Sequence, residues 1–522
     1  MSEKSRVIKA AGVVGAATLL SRILGFLRDA VIAWYFGAGQ YSDAFIAAFR
    51  IPNLLRKLLG EGSISNAFVP VLTDYLAIDG REEAFRLARS ALWVLSILLV
   101  AVSFIGILLA PLIVKIIAPG FIDAPDKLAL TIMLTRIMFP YIFFIGLVAL
   151  CMGILNVFGH FAAPALAPVL LNLAIIFSVL FLCPHLDTPV LGLAIGVMIG
   201  GILQLFLQMP AMAGQGFNFW QKTKIWHPGL KKMSRLMPPV ILGGAVYQIN
   251  VMVGTLLGSF LAEGSVAVLY FADRLVQFPL GIFAIAAATA VLPSLSRQAA
   301  LNDLNALKET FGYAIRLTLF LTIPSMMGLI VLREPIITVL FQRGEFSPQA
   351  TLLTAQALLY YAIGLWAFSA VRIVAATFFA LKDTRTPMVM ASVSILANIG
   401  LGIILMKPLA HAGLALATSL ASVLNLALLV LALRKKLGSL GWRGIAQSAL
   451  KTLGSALAMG ATVWVAAKVL IPAQGASFIA LLSGVMVSVA AGLAIFAGIS
   501  YGIKSPEMGH MLAEIKTGIK RK

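Results

Sequence analysis

The sequence predicts an all-α polytopic membrane protein with about 14 transmembrane helices, arranged as two parallel six-helix lobes plus two extra C-terminal helices. Three observations predict it. Apolar residues make up 60% of the 522-residue chain and charged residues only 11%, against about 45–50% and 25% in soluble domains. Apolar runs near the ~20 residues needed to cross a bilayer recur along the whole length, as in "ALWVLSILLVAVSFIGILLAPLIV" (91–114) and "SFIALLSGVMVSVAAGLAIFAGI" (477–499). The connections between these runs sort by charge into two sets.

The predicted spans are 8–36, 41–73, 86–117, 127–158, 162–183, 189–212, 235–262, 265–297, 310–332, 350–381, 386–406, 411–434, 446–470 and 477–502. The first begins with a basic, then apolar stretch, as a signal peptide does. No small-residue cleavage site precedes a polar chain, so it reads as an uncleaved first helix. One set of connections is rich in Lys and Arg: the N-terminus, "GREEAFRLAR" (80–89), "QKTKIWHPGLKKMSR" (221–235), "LKDTRT" (381–386), "RKKLGSLGWR" (434–443) and the tail. The other, including "GAGQYSD", "APGFIDAPD" and "PAQG", nearly lacks them. The positive-inside rule places the first set, and both termini, in the cytoplasm. The net charge of +20 lies largely there. Anionic lipid at the inner leaflet accounts for it without nucleic acid.

A repeat sets the domain plan. Ser42 and Pro70 recur as Ser265 and Pro293 at an offset of 223, and Pro164 recurs as Pro387 at the same offset. The expected domains are an N-terminal lobe (1–212), a basic cytoplasmic linker (213–234) and a C-terminal lobe (235–434). Helices 13 and 14 (435–503) and a basic cytoplasmic tail (504–522) follow. Two lobes of six helices share one orientation, an arrangement used by alternating-access transporters.

Charge inside the predicted spans points to function. On helix 1, Gly15, Thr18, Arg22, Gly25 and Asp29 share a stripe flanked by Arg28, while Val14, Ile23 and Phe26 lie on the apolar side. Helix 2 carries Asp43, Arg50 and Lys57 seven apart, with Asn53, Arg56 and Glu61 close to that face. Helix 8 carries Asp273, Arg274 and Gln277. Together these are six cations against four anions, in segments where each charge is costly. Paired salt bridges, or snorkelling of residues near helix ends, are the plain alternatives for any one residue. Neither easily gives a net positive excess. A hydrated cavity receiving an anion does, and the planar fork of Arg suits phosphate.

"SRILGFLRD", "SDAFIAAFRIPNLLRKLLGEGSISNAFVP" and "FADRLVQFPLGIF" resemble the MurJ (MviN) lipid II flippases of the multidrug/oligosaccharidyl-lipid/polysaccharide exporter superfamily. The resemblance runs from about residue 8 to about residue 500. It implies transport of lipid II, the undecaprenyl-pyrophosphate-linked peptidoglycan precursor, across the bacterial cytoplasmic membrane. By motif position it places substrate-binding roles on Arg22, Arg28, Asp43, Arg56 and Arg274, with Asp29 and Glu61 also matching. Arg50, Asn53, Lys57, Asp273 and Gln277 are supporting positions. It further implies that helices 13 and 14 form a groove for the isoprenoid tail. Membrane lipids and the cell-wall synthesis machinery are the other expected partners. Gln277 stands where some relatives have Glu. The sodium site of part of the family needs acidic residues, and helices 7, 11 and 12 offer only Asn250, Asn398, Thr418 and Asn425, so no metal site is expected.

Other classes fit less well. "GEGSIS" lacks the Gly-Lys-Ser/Thr of a P-loop. The five histidines are scattered over loops and the tail without metal spacing, and read as solvated. Cys151 and Cys183 sit in apolar context and read as buried small hydrophobes. No enzyme and no cofactor is expected. An exporter of another lipid-linked oligosaccharide, or of drugs, is the alternative function. "FNFWQKTKIWHPGLKK" (217–232) mixes Trp220 and Trp226 with lysines and suits a cytoplasmic interface. Met508, Met511, Leu512, Ile515 and Ile519 have helical spacing, so the tail is expected to lie on the membrane surface.

Overall fold

A computed structural model describes residues 3–58, 64–471 and 477–511, and the side chains of residues 12–57, 67–237, 248–471 and 477–511. Among the described residues there are helices, turns and no strand. The helices of the first half are α1 (Glu3–Phe36), α2 (Gln40–Leu58), α3 (Ile64–Ile78), α4 (Arg81–Ile117), α5 (Pro125–Met138), α6 (Tyr141–Val157), α7 (Ala162–Phe177), α8 (Val190–Gly214) and α9 (Pro228–Gly258). Those of the second are α10 (Ser265–Pro279), α11 (Ala286–Ala300), α12 (Leu304–Val331), α13 (Arg333–Leu340), α14 (Pro348–Ile363), α15 (Leu365–Ala380), α16 (Arg385–Leu437), α17 (Trp442–Leu470) and α18 (Phe478–Gly502). The chain forms two compact units. Unit 1 is Met1–Ala267 with Gly344–Phe346, and unit 2 is Val268–Arg343 with Ser347–Lys522.

Helix α4 shows why these residues make membrane helices. Its 37 residues rise about 55 Å at 1.5 Å each, well beyond the ~30 Å hydrocarbon core. Most of the surplus is its first three turns, which carry Arg81, Glu82, Glu83, Arg86 and Arg89. From Trp93 onward one face is apolar and open: Trp93, Ile97, Val100, Phe104, Leu108 and Leu112 are all exposed. In water such a row would aggregate; in a bilayer it faces lipid. The opposite face buries Leu87, Ala91, Leu95 and Leu99 in the core of unit 1 with Phe68, Ile142 and Leu150. Unit 2 has its own core around Phe311, Phe320, Ile373 and Phe378.

Among the described residues, nine helices are long and apolar enough to cross a membrane, or ten with α14 and α15 taken as one bent span. The expectation was about fourteen. The difference has identifiable sources. Helix α16 joins two expected spans, 386–406 and 411–434, across a non-helical residue, Ala410 (φ 48°, ψ −130°). Helices α1 and α2 carry the charges singled out above. Part of α9 has no described side chains. The expected span 41–73 takes in α2 and α3, with residues 59–63 outside the described residues, whereas 127–158, α5 with α6, counts as one span, Pro125–Val157.

The breaks are chemically supported. The axis turns by 42° between α14 and α15 at Gly364, where the Ser419 hydroxyl donates to the Tyr360 carbonyl at 2.6 Å. A freed backbone acceptor in a membrane helix needs such a donor. Beside the Ala410 break, His411 Nε2 donates to the Leu353 carbonyl at 2.9 Å. His411 is buried, as is His227. Neither is the solvated loop histidine expected, because each is the local partner of a backbone group. Wide π turns occur at residues 178–182 and 280–285.

The turn before α16 is held by Asp383. It accepts from Lys436 Nζ at 2.8 Å, Thr386 N–H at 3.0 Å and the Thr386 hydroxyl at 2.9 Å. The Lys436 bond, then the Thr386 amide, lower its carboxyl to about 2. A depressed carboxylate stabilises the fold above its unfolded pKa, about 3.9, and loses that contribution as pH falls towards 2. Asp383→Asn is therefore expected to cost up to about 1 kcal/mol at neutral pH and to flatten acid sensitivity between about pH 4 and 2. Thermal unfolding of the detergent-solubilised chain against pH checks this.

The chain beyond α18 does not lie free on a surface as expected, at least as far as residue 511. Glu507, only 2% exposed, accepts from the Ser448 hydroxyl at 2.8 Å and the Ser505 hydroxyl at 2.7 Å. Arg316 Nε lies 3.4 Å away. Met508 and Met511 pack on the core of unit 2. Leu512, Ile515 and Ile519 lie outside the described residues. Glu507→Ala is expected to cost about 1–3 kcal/mol and to speed proteolysis after residue 504, measured by limited digestion.

Candidate substrate-binding site

The predicted site residues fall in both units. In unit 1 they lie on α1 and α2. Arg28 and Asp29 are buried, at 6% and 1% exposure, while Arg22 is exposed. Adjacent residues on a helix point in different directions, yet the Arg28 guanidinium folds back on its neighbour. Nε and Nη2 both donate to Asp29 Oδ1, at 3.0 and 2.6 Å. Nη1 donates to Asn172 Oδ1 on α7 at 3.1 Å, and Asn172 Nδ2 donates to the Ser21 carbonyl at 3.0 Å. The expected stripe is therefore divided. Gly15, Thr18 and Arg22 are exposed, Gly25 is half-buried and Asp29 is buried. Of the face expected to be apolar, Val14 and Ile23 are exposed and Phe26 is half-buried.

Asp43 has a different setting. It is 1% exposed. Oδ2 accepts from Lys127 Nζ at 2.6 Å and from the Gly264 N–H at 2.8 Å, and Oδ1 accepts from the Ala267 N–H at 2.8 Å. It thus caps the start of α10 from another helix. A carboxylate there satisfies orphan amides and meets the positive end of the helix dipole. Lys127 opens α5 and also lies 4.3 Å from the centroid of the Phe121 ring. Sequence reasoning missed Lys127. Its signal was its position, a cation among connections nearly free of them.

Further along α2, Arg50 Nε donates to Thr255 Oγ1 at 2.9 Å. Arg56 donates through Nε and Nη2 to Asn53 Oδ1, at 3.2 and 3.1 Å. Lys57 is half-buried. Glu61 lies outside the described residues. Among the positions described in unit 1, five predicted cations stand against two carboxylates, and Lys127 adds a sixth cation.

In unit 2, Arg274 Nη2 donates to the Tyr270 hydroxyl at 3.1 Å, and its guanidinium lies 5.3 Å from the centroid of that ring. One turn on, Gln277 Nε2 donates to Asp273 Oδ1 at 3.3 Å. All four sit on α10.

The class of fold follows from comparison. The chain aligns with an inward-facing multidrug-resistance MATE transporter of the MOP superfamily, with a TM-score of 0.67 over 80% of this chain and 95% of that one, at 17% identity. That likeness shows a shared polytopic helical fold. The chain also aligns with a lipid II flippase MurJ in an inward closed conformation, with a TM-score of 0.78 over 94% of this chain and 99% of that one, at 29% identity. A probable lipid II flippase MurJ of Vibrio cholerae is 40% identical over 431 residues, covering 81% of this chain and 82% of its own length. Residues 32–519 match the family described as lipid II flippase MurJ, and the chain belongs to that family.

Proposed function

We propose that the chain is a lipid II flippase, moving the undecaprenyl-pyrophosphate-linked peptidoglycan precursor from the inner to the outer leaflet of the bacterial cytoplasmic membrane for cell-wall synthesis. The observation that carries this reading is the family match over residues 32–519, which takes in α2, α10, α17 and α18. The charge of the site supports it. Arginine hydrogen bonds suit a pyrophosphate, and a net cationic wall offsets its charge. The family is one of transporters, and no catalytic step is assigned.

The finer reading is alternating access. Residues 1–212 and 235–434 are the lobes, joined by the cytoplasmic linker 213–234. Helices 13 and 14, 435–503, hold the isoprenoid tail, and 504–522 is the cytoplasmic tail. Both termini lie in the cytoplasm. Arg22, Arg28, Arg56 and Arg274 receive the headgroup, with Arg50, Asn53, Lys57, Asp273 and Gln277 beside them. Asp29, Asp43 and Glu61 set the charge and shape of the site.

The test is depletion of a host flippase, supply of this chain, and measurement of precursor exposed on the outer leaflet. Restored exposure is expected. A correctly inserted chain that restores nothing would move the assignment to another lipid-linked oligosaccharide or a drug. Arg22→Ala separates ligand from fold, because Arg22 is exposed. It is expected to leave thermal stability unchanged and to lower precursor exposure about tenfold or more, the worth of one charge-assisted hydrogen bond.

A further inference from the structure

The basic loop between α8 and α9 is not slack. The Arg81 guanidinium bonds the Gln215 carbonyl. Phe217 is 3% exposed and packs edge-on to Phe85, with ring centroids 5.3 Å apart. Gln221 Nε2 donates to Glu82 at 3.3 Å, and the Ser90 hydroxyl donates to the Lys224 carbonyl at 2.7 Å. His227 closes the loop. Its Nδ1 accepts from the Gly229 N–H at 3.0 Å, capping α9, so its Nε2 is the donor to Glu83 at 3.0 Å. A residue is tied to α4 or α9 at every second to fourth position, which turns the residues between them outward. Trp220 is 94% exposed, Trp226 66% and Ile225 56%. A core-forming sequence would bury those rings; here the framework holds them out.

The surroundings say what they meet. Residues 217–236 contain Lys222, Lys224, Lys231, Lys232 and Arg235 and no acidic residue. The depth is set by Ser90, which bonds the loop three residues before Trp93, where the lipid-facing row of α4 begins. Three residues of helix rise about 4.5 Å, so Lys224 and Trp226 lie at the level of the headgroups rather than deep in the cytosol. Tryptophan favours that layer, and lysines there gain from anionic lipid.

We propose that residues 218–226 form a preformed aromatic and basic foot that binds anionic lipid headgroups, with Trp220 and Trp226 inserted beside Lys222 and Lys224. The foot recognises bilayer lipid and acts whatever cargo the protein carries.

The test uses the full chain in nanodiscs of mixed phosphatidylglycerol and phosphatidylcholine, one of which carries a quencher in its upper acyl chain. The signal is the fluorescence of the wild type minus that of Trp220→Phe/Trp226→Phe, which isolates the two rings. Labelled phosphatidylglycerol is expected to quench it more strongly than labelled phosphatidylcholine at equal fraction. High salt and Lys222→Gln/Lys224→Gln are expected to erase that preference, at roughly fivefold per lysine. Both pairs are exposed, so the variants keep the fold. Equal quenching by the two lipids would overturn anionic recognition. Unquenched, solvent-like emission would overturn the membrane contact and leave the face to a soluble protein.

Discussion

Replacing Asp43 with Ala is expected to lower unfolding free energy by about 3–5 kcal/mol, the range for breaking one side of a buried ion pair. Two losses coincide. Lys127, its side chain 10% exposed, is left without its carboxylate. The Gly264 and Ala267 amides at the start of α10 lose their acceptor. Asp43→Asn keeps the shape without the charge, and Lys127→Met removes the cation. Each single change strands a buried group. The double variant Asp43→Asn/Lys127→Met removes both charges together and is expected to recover most of the loss. Thermal unfolding of the four proteins in detergent measures the coupling. Simple addition of the two single losses would refute the pair as a stabilising unit. A double variant that folds yet moves no precursor would give Asp43 a role in transport beyond its role in the fold.

Arg28→Ala is expected to abolish precursor exposure and also to destabilise the protein by about 3 kcal/mol or more, so activity must be compared per folded molecule. The guanidinium holds Asp29 Oδ1 through two nitrogens and reaches α7 through Asn172. Arg28→Ala/Asp29→Ala discards both charges and is expected to regain much of the stability but none of the transport. If that double variant flips the precursor normally, the pair is a structural tie between α1 and α7 and the ligand is met elsewhere. Arg28→Lys is expected to be nearly as inactive as Ala, because an ammonium cannot supply the fork that engages Asp29 and Asn172 together.

The helical, membrane-spanning character was legible in composition and in run length, because a bilayer imposes both directly. The charged faces of helices 1, 2 and 8 were legible for the same reason: a charge among apolar residues stands out. Their partners were not. Asn172 is 144 residues from Arg28 and Lys127 is 84 from Asp43, and neither is unusual in its own sequence neighbourhood except for the sign of Lys127. The stripe on helix 1 was drawn from angular spacing, which places side chains around one cylinder but says nothing of what covers each level. That is how Arg22 comes to be exposed while Asp29, seven residues on, is buried. The docked tail was misjudged for a related reason. The spacing of Met508 and Met511 marks an apolar face without saying whether lipid or protein meets it, and the decisive group, Glu507, reads as an ordinary surface acid.

The π turn at residues 280–285 has a consequence for how length is read along this rod. An α-helix advances about 100° per residue, and a π turn takes up one residue more than the α winding needs. The surplus residue is therefore absorbed within the turn, and α11 keeps the angular phase that an α-helix one residue shorter would give it. Leu295, fully buried in the core of unit 2, and Gln298, bonded to Thr310 at 2.8 Å, face inward only at that setting. Deleting a single residue between 280 and 285 would let the turn close to α winding and leave both facing their partners, whereas deleting a second there would rotate both away by about 100°. The π turn is thus a buffer of register: the first residue lost there shortens the rod without turning α11, and only the next one turns it.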